Sequence, residues 1–239
     1  MAMARFSTLT HQFQELYRKV FPIPCLLCGL AAEQYGLCQP CMAELPVLGH
    51  ACKRCALPLQ NAQICGHCLN ATPSQDHSFS LYRYEGTVRR CITAFKYHKQ
   101  LQFSRLFGQQ MANILSARAE LPDCLVPIPL HPRRLRHRGF NQSAEVAKYL
   151  ASALNIAYRP ELLKRVRLTQ SQSELPFKQR KKNMRNAFAC RTKQLPKHVA
   201  IIDDVMTSGY TVGEAAKIVK RQGVEVIEVW TIARAISHY

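Results

Sequence analysis

The residues with the plainest chemistry are cysteines. Eight of the eleven form four Cys-x-x-Cys pairs: Cys25/Cys28, Cys38/Cys41, Cys52/Cys55 and Cys65/Cys68. Nine residues separate pair one from pair two, and nine separate pair three from pair four, so the segment is a tandem repeat of one unit. Two thiolates three positions apart on a tight turn can face one ion, and two such knuckles complete a tetrahedral four-sulfur site. Gly29 after the first pair and Gly66 inside the fourth are in keeping with tight knuckle turns. The pattern predicts two structural zinc ions. Equal spacers favour joining one with two and three with four, with a cross-braced pairing as the alternative. A closed four-sulfur site has no open position, so this zinc folds the segment and does not catalyse. Cys91, Cys124 and Cys190 stand alone and read as small buried apolar residues.

A second chemical centre lies near the C-terminus. Val199-Ala200-Ile201-Ile202 reads as a buried strand that runs into Asp203 and Asp204 and then into Thr207-Ser208-Gly209-Tyr210-Thr211. In an open α/β sheet, ligands sit at the carboxyl ends of the strands. Backbone N–H groups at the loop and the helix N-terminus can cradle a phosphate, and the hydroxyls of Thr207, Ser208 and Thr211 add donors. Gly209 permits close backbone approach. Asp203 and Asp204 can accept from vicinal sugar hydroxyls or help hold a divalent cation. These residue types describe a sugar-phosphate site; the simpler alternative is an Asp-Asp cap on an ordinary turn.

The third signal is charge. The chain carries 33 Lys and Arg against 15 Asp and Glu, a formal +18, which points to polyanionic partners. Between Pro129 and Ala200 there are 17 basic and 3 acidic residues, a local +14. Arg133, Arg134, Arg136 and Arg138 form one cluster, and Lys178, Arg180, Lys181, Lys182 and Arg185 a second. Either the arginines hold a diphosphate, or both clusters track a nucleic-acid backbone with Tyr97, Phe140 and Phe177 as stacking surfaces. Phe140 reads equally well as core. There is no Ser-His-Asp arrangement, Walker loop or GxGxxG, which argues against hydrolase, ATPase and dinucleotide chemistry.

The elements that must position these groups follow from periodicity. Phe6, Leu9, Phe13, Leu16, Tyr17 and Val20 predict an amphipathic helix over 1–20, stopped by Pro22 and Pro24. It lacks the continuous apolar core of a signal peptide, and no run is long enough to span a bilayer, so the expected compartment is the reducing cytoplasm. Residues 21–75 form the expected double zinc ribbon, and the polar stretch 70–77 reads as a linker. Residues 76–239 form an α/β domain with a mainly parallel sheet: strands near 78–84, 124–130, 199–202 and 224–232, with helices near 88–95, 101–115, 141–154 and 211–222. Residues 159–185 break the alternation as a long irregular insertion.

The Asp203-Asp204 block resembles the phosphoribosyl-diphosphate (PRPP) signature of type I phosphoribosyltransferases. Five blocks resemble the narrower competence protein F (ComF, GntX-like) family: Phe95-Lys96-Tyr97, Val126-Pro127-Ile128-Pro129-Leu130, Arg138-Gly139-Phe140-Asn141-Gln142-Ser143, Arg185-Asn186-Ala187-Phe188 and the Asp203-Asp204 stretch. The double zinc module in front matches that family too, so the resemblance covers almost the whole chain. Ser208 departs only from a common Thr and keeps the hydroxyl. The resemblance implies a type I phosphoribosyltransferase-like sheet, with Asp203 and Asp204 on the ribose 2′- and 3′-hydroxyls of PRPP and Thr207 to Thr211 around its 5′-phosphate. It implies Leu130 to Arg134 at the diphosphate, Mg²⁺ accompanying PRPP, and residues 165–185 as a hood. Arg136, Arg138, Phe140 and the second cluster would then bind single-stranded DNA during natural transformation, with a DNA-translocating motor protein as a candidate partner. The alternatives are an enzyme moving phosphoribose from PRPP to a base or amine, and a PRPP sensor without turnover.

Overall fold

The computed structural model describes residues 23–32, 36–169, 177–190 and 195–236; the helix expected over 1–20 lies outside these. The chain divides into two compact units, residues 1–45 and 46–239, and the division falls between the two four-cysteine groups.

In the first unit, β1 (Ile23–Pro24) pairs antiparallel with β2 (Ala31–Ala32) across the first knuckle turn, and α1 (Gln39–Ala43) leads out of the second knuckle. In the second unit, α2 (Gly66–Asn70) leads out of the fourth knuckle in the same way. There follow β3 (His77–Arg83), α3 (Gly86–Tyr97), α4 (Gln102–Leu115), β4 (Cys124–Pro127), α5 (Pro132–Arg138) and α6 (Gln142–Leu154). The chain continues through β5 (Ala157–Tyr158), β6 (Leu163–Arg165), α7 (Phe177–Met184), β7 (Phe188–Cys190), β8 (His198–Met206), α8 (Tyr210–Lys220) and β9 (Val226–Arg234).

Five strands form one wholly parallel sheet in the order β3-β9-β8-β4-β5. Its central strands are continuous apolar runs because helices cover both faces. Val199 to Ile202, Ile227, Val229 and Trp230 are fully buried, and α3 and α4 add Ile92, Phe95, Phe103 and Phe107. Gly108 on α4 is where that helix meets α6: a Cβ there would lie 2.7 Å from the Tyr149 ring, so only glycine permits the approach. Glu228, on β9, is buried and paired with Arg118 at 2.6 and 2.9 Å, His198 at 2.9 Å and Trp230 Nε1 at 2.7 Å. A buried carboxylate is tolerated only with such partners.

Several expectations change in detail. β8 does not stop at Ile202 but runs through both aspartates to Met206, because β9 continues to pair with it, Asp203 opposite Thr231 and Met206 opposite Arg234. β4 ends at Pro127, short of the expected 130, and α8 ends at Lys220 with Gly223 left-handed three residues on. The stretch 70–77 is no loose linker: Gln75 is buried, and Asp76 accepts from Ile227 N at 2.9 Å and Lys220 Nζ at 3.1 Å. The insertion at 159–185 is not irregular throughout, since β6 pairs antiparallel with β7 and α7 lies between them; residues 170–176 fall outside the description. Cys91 and Cys124 are fully buried as expected, whereas Cys190 is only half-buried. Among the described residues, no helix is long and apolar enough to cross a membrane.

Candidate functional site

The cysteine pairs come together in sequence order. Cys25, Cys28, Cys38 and Cys41 form one group, Cys52, Cys55, Cys65 and Cys68 another, and within each the sulfurs lie within 4.8 Å of one another. Cys28 and Cys38 are 3.5 Å apart, Cys55 and Cys65 3.6 Å. A tetrahedron with Zn–S near 2.3 Å sets its sulfurs about 3.8 Å apart, so both groups fit a structural zinc ion. The crossed pairing is thereby excluded. Burial raises the first thiol of each group, but backbone N–H groups of the knuckle outweigh it and bring Cys25 down to about 6 and Cys52 to about 7. One thiolate in each group is thus favoured, while its neighbours Cys28, Cys41, Cys55 and Cys68 are pushed up.

The second group is built into the α/β unit. Arg234, at the end of β9, donates from Nε to the Cys55 carbonyl at 2.9 Å. Its Nη1 donates to the carbonyls of Met206 at 3.0 Å, Ala235 at 2.6 Å and Thr207. One buried guanidinium therefore ties a zinc ligand's backbone to the loop that follows β8. The Arg54 carbonyl accepts from Ser78 Oγ at 2.7 Å and Gln75 Nε2 at 3.1 Å.

That loop carries the candidate phosphate site. Thr207 and Ser208 bridge β8 to Gly209, which is left-handed (φ +76°) at the cap of α8 and supplies no side-chain acceptor. Tyr210 and Thr211 open the helix, whose N-terminal end, without a side-chain cap from Gly209, suits an anion. Ser208 Oγ is buried without a hydrogen-bond partner among the described residues.

Asp203 and Asp204 stand just upstream, on the last part of β8. Lys96 Nζ, from α3, donates to Asp204 at 2.7 Å, and the Lys96 side chain is only 19% exposed. Burial alone would lower the Lys96 pKa, but the charge and hydrogen bond of Asp204, with Asp203 behind it, hold it above its usual value. Asp203 accepts from Ser143 Oγ at 3.0 Å and from Asp204 N at 2.9 Å. Burial first, and the neighbouring Asp204 charge second, push Asp203 up to about 7.

Arg133 and Arg134 lie on α5, which leaves the carboxyl end of β4 one residue after His131 caps it. Arg165, at the end of β6, is buried, rests over the Phe188 ring at 5.5 Å and donates to Thr169. Burial and the charge of Arg134 bring its pKa down to about 10, while Asp203 works the other way. The carboxylate pair, Arg134 and Arg165 therefore act on one another electrostatically.

The basic residues assigned to nucleic acid are more spread out. Arg136 is exposed on α5; Arg138 donates to Gln142 at 2.9 Å and lies 5.5 Å over the Tyr97 ring. Phe140 packs 5.7 Å from Phe95 and is half-buried, which serves the core as much as any stacking role. Lys181 and Lys182 are exposed on α7 and Arg185 just after it, Arg180 is half-buried, and Lys178 belongs to the same helix.

With this geometry in hand, comparison with known proteins is informative. A family model described as a double zinc ribbon domain matches residues 16–69. Competence protein F of Haemophilus influenzae is 32% identical over 226 residues, covering 90% of this chain and 98% of that protein. The chain belongs to the competence protein F family. DNA utilization protein YhgH of Salmonella typhimurium is 31% identical over 220 residues, 89% of this chain and 97% of that protein. Competence protein ComFC of Bacillus subtilis is 26% identical over 198 residues, 78% and 79% of the two chains.

In this family member, four residues of the site escaped assignment from sequence: Lys96, Ser143, Arg165 and Arg234. Lys96 had a signal. Val88, Ile92 and Lys96 are spaced by four, so the lysine continues the buried stripe of α3 and must meet a carboxylate there. Ser143 shares a face with Ala147 and Leu150, where a hydroxyl in an apolar stripe asks for a partner. Arg165 and Arg234 had none, because each is one basic residue at a strand end in a chain rich in them.

Proposed function

We infer that this protein binds PRPP at the carboxyl end of its sheet and single-stranded DNA on its basic surface, and acts in DNA uptake during natural transformation. The observation that carries the first part is the loop from Thr207 to Thr211. A left-handed glycine, a helix start without a side-chain cap and the buried Ser208 hydroxyl, unpartnered among the described residues, make a cradle suited to an anion. A 5′-phosphate supplies one. Asp203 and Asp204 would accept from the ribose hydroxyls, with Lys96 paired to Asp204 at 2.7 Å. Arg133, Arg134 and the buried Arg165 lie on the side where the diphosphate would sit. Mg²⁺ fits this arrangement as a companion of the diphosphate, since it keeps several waters and takes substrate oxygens as ligands.

The DNA part rests on the local charge of the 130–199 stretch and on the names of the relatives, competence and DNA utilization proteins. Arg136, Arg138, Phe140, Lys178, Arg180, Lys181, Lys182 and Arg185 would track the backbone. The family's competence role supports a DNA-translocating motor as partner, and unoxidised thiolate sites support a reducing compartment, the cytoplasm.

One observation favours an enzymatic version. Asp203, pushed up to about 7, can exchange a proton near neutrality, as acid–base catalysis requires. The protein would then move phosphoribose from PRPP to a base or amine.

The test is a titration of zinc-loaded protein with PRPP and Mg²⁺, with and without single-stranded DNA, following both binding and diphosphate release. PRPP binding lost in Asp204→Asn and DNA binding that weakens steeply with salt are the expected results. Unchanged PRPP binding in Asp204→Asn overturns the site assignment, and salt-independent or absent DNA binding removes the DNA role. Diphosphate release would establish the enzymatic version.

A further inference from the structure

The unit spanning 46–239 contains a cavity of about 660 Å³ that borders the Thr207–Tyr210 loop of the proposed PRPP site and reaches to the second knuckle. The second four-cysteine knuckle and the chain after it form one wall, with Leu57 and Pro73 facing in. The loop from Met206 to Tyr210, the start of α8 and Met184 of α7 form the other. Lys181 and Lys217 also line it and supply positive charge. The volume accommodates a nucleotide.

Two features indicate that something belongs there. Gln75 is 3% exposed, and its Nε2 donates to the Arg54 carbonyl at 3.1 Å, which fixes the amide so that Oε1 is the remaining group. Oε1 is buried and has no partner among the described residues, and Gln75 lines the cavity. The second feature is Gly213. It sits inside α8 with ordinary helical geometry, where glycine is a poor choice, and a Cβ there would meet nothing within 4 Å. Neither packing nor a positive φ calls for glycine at this position. An absent side chain opening on a cavity is what close approach by a ligand needs.

The chemistry of the walls selects the ligand. Apolar faces on both sides suit a flat ring. A buried carboxamide oxygen needs an N–H, and every natural nucleobase presents one on its Watson–Crick edge. Lys181 and Lys217 suit a phosphate joined to that ring, and Glu214 beside them already accepts from Asn186 N at 2.8 Å. We propose that this cavity is a binding site for a nucleobase carried on a phosphate, with Gln75 accepting from the base edge and Gly213 permitting the ring to lie against α8. Lys181 belongs to the basic helix α7, so a strand following that helix reaches the cavity mouth. The inference rests on the reading that this protein binds single-stranded nucleic acid and names where that strand inserts a base; a free mononucleotide offers the same chemistry.

The experiment compares wild type with Gly213→Leu and Ala71→Phe, which fill the cavity from opposite walls. Each full-length, zinc-loaded protein is titrated with a fluorescent 12-residue oligo-dA, with the same strand made abasic, and with 5′-AMP; melting temperature and PRPP binding serve as checks. Wild type is expected to prefer the intact strand by roughly ten-fold, the range of one base held against protein. Both variants are expected to lose that preference while melting no lower than wild type and binding PRPP as before. AMP binding that disappears in the variants extends the site to free nucleotides; oligonucleotide binding without AMP binding assigns it to the strand. Variants that retain the full preference overturn the base site and leave the DNA-binding reading standing. Wild-type protein that binds neither oligonucleotide nor AMP overturns both.

Discussion

The two four-cysteine groups have the same spacing and the same donor set, yet they keep different company. In the first, within residues 1–45, Cys28 is exposed and Cys41 half-buried, and the knuckle turn is closed by the two-residue strands β1 and β2. In the second, Cys52, Cys65 and Cys68 are buried, and the knuckle's carbonyls at Lys53, Arg54 and Cys55 accept bonds from Ser78, Gln75 and Arg234 of the α/β unit. A repeated sequence unit therefore predicts repeated metal chemistry but not a repeated task. The second zinc site braces the loop that opens α8, through a guanidinium lying 179 positions further along the chain than the cysteine it holds.

The sharpest way to break this comparison is to remove one ligand from each group. Cys68→Ser should lower the melting temperature of the α/β unit by more than about 10 °C, since loss of a structural metal is a folding defect. It should abolish PRPP binding. Cys41→Ser should leave PRPP affinity within about two-fold of wild type, as distant independent sites do. Calorimetry with each variant decides: equal loss of PRPP binding in both would erase the distinction.

A finer cut leaves both metals in place. Arg234→Met removes the donor to four carbonyls, and leaving buried carbonyls unsatisfied costs about 3 kcal/mol. Zinc content should stay at the wild-type level while PRPP affinity falls, a split readable by metal analysis beside a binding isotherm. Retained affinity would mean that the loop holds its shape without the bridge. Linkage then requires the reverse effect: PRPP should tighten zinc binding at the second group about five-fold in equilibrium competition with a chelator and leave the first unchanged, a difference that Arg234→Met should remove.

What sequence reasoning could reach follows from range. The tandem knuckles and the apolar strands are local patterns and survive in the structure nearly as read, whereas Asp203 and Asp204 prove to lie on β8 itself. The pairing of the knuckles followed from equal spacers. Lys96 with Asp204 is a contact across 108 positions, and Arg234 with Cys55 across 179; the spacing of Val88, Ile92 and Lys96 turns the lysine inward without naming its partner, and nothing announces Arg234. The stretch at 70–77 looked like a linker because its residues are polar, but Gln75 and Asp76 use that polarity to dock against the Arg54 carbonyl and the edge of β9. β6 and β7 were too short, at three residues each, to stand out within a basic insertion.

The comparison also separates two halves of the proposed PRPP site, one braced by the ribbon and one by helices. Asp203 belongs to the second half. Lys96 and Asp204 N favour its ionised form, as does Ser143, but burial and the Asp204 charge prevail and place it at about 7. Its native pKa lies above the unfolded value of 3.8, so ionisation disfavours the fold. This group's contribution is therefore most favourable below about pH 4 and declines as pH rises towards 7. Ligand binding has the opposite sign. A ribose hydroxyl needs an ionised acceptor, so PRPP affinity should rise with pH between 6 and 8, by as much as about ten-fold per unit on the acid side. The 5′-phosphate of PRPP titrates near 6 and adds its own slope, about the same for any variant. Asp203→Asn isolates the difference: its profile should retain only the phosphate's slope, whereas Cys41→Ser should keep the full wild-type profile. A wild-type profile identical to that of Asp203→Asn would show that this carboxylate does not meet the ligand, and would move the ribose contact to Asp204 alone.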